Sequence, residues 1–288
     1  MTIFCLGSIN ADFFYDVPHI PAPGETLAST DYRIGLGGKG VNQSVAAAKA
    51  GSDVVHIGAV GADGAWAVAR MKALAVGIDH IATVDTPTGH AIINVAADGE
   101  NAIVLYPGAN LRQTDAAISA ALKDAQKGDL LLLQNETSLQ VEAAKIAREA
   151  GLKVVYSAAP FSTDAVQAVL PHADILAVNE VEAEQLEAAL QMQVSELPVE
   201  GVLVTLGDKG ADFVTVDGRV HADAFPVMPV DTTGAGDTYL GYFAAGLDHG
   251  MALGEAMELA AKAAALKVTR PGTADAIPSR EEVEGFIG

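Results

Sequence analysis

Two aspartates, Asp231 and Asp237, stand six positions apart in the stretch DTTGAGD, with Gly234, Ala235 and Gly236 between them. Glycines at 234 and 236 let a ligand approach the backbone closely. The stretch runs into the apolar segment Tyr239–Leu247. The N–H groups of Ala235, Gly236 and Asp237 therefore fall in a first helical turn, where the helix itself supplies no acceptor and an anion is favoured. A carboxylate beside such a turn can take the proton of an attacking hydroxyl while the N–H groups hold the charge that develops on a transferring phosphoryl group. Asp237 suits that base. The spacing is equally consistent with a plainer arrangement, in which Asp231 or Thr233 caps a helix and Asp237 is a first-turn acid favoured by the helix dipole.

A second glycine turn, GLGGKG from Gly35 to Gly40, carries Lys39 and is followed by Asn42. It matches G-x-G-x-x-G, but a dinucleotide fingerprint follows a buried strand and puts its acid at the end of the next one. Here Ser29–Ile34 is polar, and Asp53 precedes the apolar run Val54–Gly58. Nor is this a phosphate loop ending in Lys and then Ser or Thr, since Gly40 follows Lys39. What the turn offers is backbone N–H groups, an ammonium and a carboxamide at a helix start, a set suited to binding hydroxyls or phosphate.

These residues need a frame. Apolar runs at Ile3–Gly7, Val54–Gly58, Leu130–Gln134, Val154–Ser157, Ile175–Val178 and Val202–Thr205 read as strands covered on both faces. Helical patterns alternate with them at Val41–Ala50, Gly64–Ala75, Thr114–Ala125, Leu139–Ala150, Glu182–Leu190, Thr238–Asp248 and Leu253–Lys267. The alternation predicts an α/β fold with a central, mostly parallel sheet flanked by helices. Asp12–Arg33 and Thr88–Tyr106 break it, the latter reading as a hairpin around Asp98 and Gly99. They predict a small β lid, built from about 12–35 and 86–108, on a single domain spanning 1–288.

Composition narrows the partners. Seventeen basic against 37 acidic residues give a formal charge of −20, which opposes binding to nucleic acid or an anionic membrane. The chain has no long apolar run and no basic start resembling a signal peptide, so a cytoplasmic location is expected. The single cysteine, Cys5, lies in an apolar run and reads as a packing residue. The seven histidines show no metal-ligand spacing.

GGKGVNQSVAAAKAG, Gly37 to Gly51, and DTTGAGDTYLGYF, Asp231 to Phe243, stand in the order and separation of two signatures of the ribokinase-like carbohydrate kinases, also called the phosphofructokinase-B family. The chain resembles that family over nearly its whole length: GSINADFFYDVP, TGHAIINVAADGENAIVLYPGAN, LLLQNETS, ILAVNEVEAEQL, VTLGDKGA and VTRPGTADAIP match further segments in the same order.

The resemblance implies transfer of the γ-phosphate of ATP to the primary hydroxymethyl group of a sugar, with Asp237 as base and Gly234, Ala235 and Gly236 as the anion turn. It assigns sugar contacts to Asn10, Asp12, Gly38, Lys39, Asn42 and Glu136. Taken alone, Asn10 and Asp12 equally well cap the turn after Ile3–Gly7, and Glu136 is equally a solvated loop acid. Nucleotide contacts fall on Asn179, Thr205, Gly207 and Gly236, and magnesium is expected near Asn179 and Glu182, a pair that also fits a capping box. Asp231, Thr233, Val268 and Gly272 match a monovalent-cation site for potassium. The sequence departs from the family pattern at Ala276, where a side-chain oxygen is usual near that cation, at Ala261 near the adenine, and at Tyr156–Pro160. D-ribose is the expected sugar. Fructose, 2-keto-3-deoxygluconate or a nucleoside are the alternatives within the family, and an inactive sugar-binding protein lies outside it. Only Arg33, with His19 and His90, brings a cation to the lid, which argues against a sugar phosphate. A homodimer through the lid is also implied.

Overall fold

The structure, a computed structural model, describes residues 1–287. The chain begins with β1 (Thr2–Leu6), whose last four residues are buried. It then turns into a pair of antiparallel strands, β2 (Asn10–Val17) and β3 (Asp31–Gly37), before α1 (Lys39–Lys49) returns it to the main body. Next come β4 (Asp53–Val60), α2 (Ala65–Ala73) and β5 (Gly77–Thr83). The hairpin β6 (Gly89–Ala96) and β7 (Asn101–Tyr106) turns at Gly99, whose φ of +92° suits glycine. The chain continues through α3 (Asp115–Ala121), β8 (Leu130–Leu133), α4 (Gln140–Ala150), β9 (Lys153–Ser157), α5 (Thr163–Val169), β10 (Ile175–Asn179), α6 (Glu180–Leu190) and β11 (Gly201–Thr205). After a second hairpin, β12 (Ala211–Thr215) and β13 (Gly218–Ala222), it closes with α7 (Ala235–Asp248), α8 (Leu253–Val268) and α9 (Arg280–Glu284).

Nine strands form the main sheet in the order β13-β12-β11-β10-β9-β8-β1-β4-β5. From β11 to β5 every pairing is parallel, and β12 and β13 add an antiparallel edge. The central strands read as unbroken apolar runs because helices cover both faces: all four residues of β8, a run of leucines, are buried. The second sheet has four strands in the order β3-β2-β6-β7. Strand order reverses at β1, which has β4 on one side and β8 on the other. Such a reversal opens a crevice at the carboxyl ends of the strands, where open α/β sheets bind ligands.

The α/β alternation and the small separate sheet agree with expectation. Several elements went unread. Both faces of β5 are only partly buried at the sheet edge, and β13 is almost wholly exposed, so neither carries an apolar run. Asp217-Gly218 was an available hairpin signal for the second of these. β3 lies in the small sheet and is polar for that reason, with four exposed residues at its start. The helix expected over Thr114–Ala125 ends at Ala121. Among the described residues no helix is long and apolar enough to cross a membrane. Cys5 is buried and unpaired, as its apolar setting suggested.

Candidate active site

α7 supplies the centre of the crevice. Gly234 caps it at φ +73°, a left-handed conformation that glycine adopts without strain. The turn differs in one respect from expectation: the Ala235 N–H is already taken by the Thr232 carbonyl at 3.2 Å. Among the described residues the N–H groups of Gly236 and Asp237 have no protein acceptor, so the anion site has two free donors, not three. A Cβ at Gly236 would meet nothing within 4 Å, which leaves the approach open.

Asp237 is buried on α7, and α1 fixes its carboxylate: Asn42 Nδ2 donates to Oδ2 at 3.2 Å and Gln43 Nε2 donates to Oδ1 at 3.0 Å. Gln43 is held in turn by Gln134 Nε2, 2.7 Å from its Oε1. Asn42 Oδ1 is buried and unpartnered, a vacancy for a donor such as a ligand hydroxyl. α1 reaches this place because glycines meet where its first turn crosses the end of β1. A Cβ on Gly40 would lie 2.3 Å from Gly7 Cα. Gly38, at φ +97°, is packed so closely against Ser8 that a Cβ would sit 2.7 Å from its carbonyl oxygen.

Lys39 opens α1 and lies half-buried in the same cleft. The Asp237 carboxylate beside it raises its pKa against the effect of burial, and Glu136 and Glu182 add to the rise. Glu136, just beyond β8, accepts the Lys39 backbone N–H at 3.0 Å on Oε2, which also takes the Ser8 hydroxyl. Across the reversal point, Asn10 and Asp12 begin β2 and are buried. Asn10 Oδ1 accepts from Asn110 Nδ2 at 2.8 Å, leaving the Asn10 amide N–H groups to face a ligand. Burial, reinforced by the Glu136 carboxylate, pushes the Asp12 carboxyl up to about 7. Gly37 makes room for that carboxyl, since a Cβ there would lie 1.9 Å from Asp12 Oδ2.

Lys39, Asn179, Glu182, Thr205, Gly234 and Asp237 line one cleft of about 180 Å³. Asn179 and Glu182 form the capping box of α6: Asn179 Oδ1 accepts the Glu182 N–H at 2.8 Å and Glu182 Oε2 accepts the Asn179 N–H at 2.9 Å. Their cleft-facing position and their capping role coexist. Gly207 lies outside this cleft, on an adjoining apolar cavity of about 550 Å³ walled by Phe225, Pro226, Tyr239 and Ala261. Thr232 and Ala235 border both spaces. An apolar slot beside an anion turn fits a flat heteroaromatic group that carries phosphates. Among the described residues no cluster of three or more His, Cys, Asp or Glu side chains is placed to hold a metal ion.

Behind the turn, Asp231 Oδ1 accepts the Thr233 N–H and Oδ2 the Gly272 N–H, both at 2.9 Å. Burial opposes ionisation of Asp231, yet these N–H groups, the Thr233 hydroxyl and Lys267 outweigh it and hold the carboxyl below its ordinary range. The Val268 carbonyl, expected to face a cation, instead accepts from the N–H groups of Val230 and Asp231 at 2.7 and 3.0 Å.

Ser8, Gln43, Asn110 and Gln134 were not singled out from the sequence. Gln134, a polar residue ending a run of four leucines, was the one visible signal; the others gain meaning only from contacts 32 to 194 residues distant in sequence.

The family model for pfkB family carbohydrate kinases matches residues 2–280. The chain is 39% identical to a ribokinase of Haemophilus influenzae, over 99% of this chain and 98% of the relative. It is 32% identical to a deoxyribokinase of Salmonella typhi, over 100% of this chain and 99% of the relative. A solved structure of Arabidopsis thaliana ribokinase complexed with ribose and ATP superposes with a TM-score of 0.86 at 28% identity, covering 99% of each chain.

Proposed function

The chain belongs to the pfkB family of carbohydrate kinases, and we propose that it transfers the γ-phosphate of ATP to the primary hydroxymethyl group of D-ribose. The observation that carries this reading is the Asp237 carboxylate, oriented by Asn42 and Gln43, next to two backbone N–H groups that lack acceptors. Asp237 accepts the proton of the attacking hydroxyl as the oxygen closes on phosphorus. The N–H groups of Gly236 and Asp237, with the Lys39 ammonium, hold the charge on the phosphoryl oxygens. The sugar lies between Asn10, Asp12 and Glu136 on one side and Gly38, Lys39 and Asn42 on the other. The unpartnered Asn42 Oδ1 and the carboxylates accept its hydroxyl protons, and the Asn10 amide donates.

Adenine fits the apolar cavity, with the phosphates crossing Thr232 and Ala235 into the cleft, near Asn179, Thr205 and Gly207. Magnesium would supply charge neutralisation on the phosphates. The donor set suits an ion bound mainly through phosphate and water, with Asn179 and Glu182 alongside. The residues around Asp231 do not fit the monovalent cation, because Lys267 already brings a positive charge there. The small sheet acts as a lid over the sugar, and two copies of the chain pair through it.

Turnover with ATP and magnesium is measured for ribose, 2-deoxyribose, fructose, 2-keto-3-deoxygluconate and a nucleoside. Ribose is expected to lead in kcat/KM by more than about tenfold. A lead for 2-deoxyribose would ally the chain with its deoxyribokinase relative. Asp237→Asn should lower kcat by about 10²- to 10⁴-fold while leaving ATP binding in place; a rate near wild type would remove Asp237 as the base.

A further inference from the structure

Lys267 lies in the last turn of α8, and its side chain is fully buried. Lysine is almost never buried unless its charge is paired. Its Nζ donates to the Asp231 backbone oxygen at 2.9 Å and lies 4.0 Å from Asp231 Oδ1. This is the place where the family resemblance puts a monovalent cation, and the oxygens of Asp231 and Val268 that it would use there already have donors. The Asp231 carbonyl is taken by the ammonium, the Asp231 carboxylate by the Thr233 and Gly272 N–H groups, and the Val268 carbonyl by two further N–H groups. Ala276 adds no side-chain oxygen.

We propose that the Lys267 ammonium is a built-in replacement for the monovalent cation, holding the Asp231–Gly234 turn in its working shape so that the enzyme needs no potassium. A bare potassium ion requires a shell of oxygens in place of its water, and a second positive charge beside a buried ammonium is repelled in a medium of low dielectric. The ammonium is tethered to the chain, so it is present at every salt concentration. Its charge draws on the Asp231 carbonyl. The Asp231 carboxylate in turn holds the Thr233 N–H, three and four residues before the free donors of Gly236 and Asp237. Lys267 is thus a positioning residue, touching neither sugar nor nucleotide.

The inference rests on the kinase reading of the same site, and the test keeps the two apart. Ribose turnover and thermal melting are followed in choline, sodium and potassium chloride at equal ionic strength, with magnesium constant and ATP as its Tris salt. The wild-type rate is expected to vary by less than about threefold across the salts, with no rise in Tm specific to potassium. Lys267→Ala, which frees the Asp231 carbonyl, should lose about tenfold or more of kcat in choline chloride and recover on adding potassium or ammonium ion. A purely structural role would not produce ion-specific rescue. A larger potassium stimulation of the wild type, a potassium-specific rise in its Tm, or an alanine variant fully active in choline would overturn the inference. If the variant does not fold, the wild-type salt series decides alone. Absence of ribose phosphorylation in every salt would defeat the ribose reading, while the melting series still decides the question of the cation.

Discussion

Asp12 carries two burdens at once: it is buried, and it faces the Glu136 carboxylate. Both disfavour its charge, which brings its titration to about 7. A sugar hydroxyl donates to a carboxylate better than to a neutral carboxyl, so ribose binding should strengthen as pH rises through that value. If only the ionised form binds, affinity gains about tenfold between pH 6 and pH 8. Calorimetric titration with ribose alone measures this, and a flat profile would show that ribose binding is not linked to the ionisation of Asp12 between pH 6 and pH 8. The stability effect has the opposite sign. Between the ordinary carboxylate range and about 7 the folded chain keeps a proton that the unfolded chain has released, so this group lowers stability as pH rises across that window.

α1 and α7 set the geometry of the base, and they do so through Gly241. A Cβ at that position would lie 2.4 Å from Ala46 Cβ and 2.6 Å from the Gln43 carbonyl oxygen. The helices can therefore approach only where a side chain is missing, and that approach brings the Asn42 and Gln43 amides within hydrogen-bond reach of Asp237. Gly241→Val should cost about 1–3 kcal/mol of stability by overpacking and, by parting the helices, lower kcat by about tenfold or more. Urea unfolding and steady-state kinetics on the same preparation check both. A destabilised variant with unchanged kcat would show that the helix spacing does not orient the base.

At the scale of the whole molecule, the small sheet exposes an apolar group that a lone chain has no reason to keep. Ile103, Val104 and Leu105 on β7 are 54%, 66% and 57% exposed, and Tyr32 and Ile34 on β3 are 47% and 49% exposed. β3 and β7 are also the two free edges of that sheet, and exposed apolar edge strands invite another chain. The second copy proposed above would cover both features. Light scattering at micromolar concentration should give the mass of two chains, and Val104→Glu should shift it towards one. A wild-type mass of one chain would remove the dimer.

Sequence alone determined the alternation of strands and helices, the β6–β7 hairpin and the residues around both glycine turns. These are properties of adjacent residues: apolar runs covered on both faces, glycine spacing, and the polar residues that flank them. Tertiary structure decided what depends on distant partners. The edge strands β5 and β13 carry little apolar signal because sheet pairing, not burial, holds them. The Ala235 N–H is taken within its own turn, and Gln43 is aimed at Asp237 by an amide from β8's end. Lys267 shows the difference most plainly. In the sequence it is a basic residue in a helix's last turn, where a lysine ordinarily stands in water near the dipole. Only the packing of α8 against the 231–234 turn buries that charge and pairs it with Asp231.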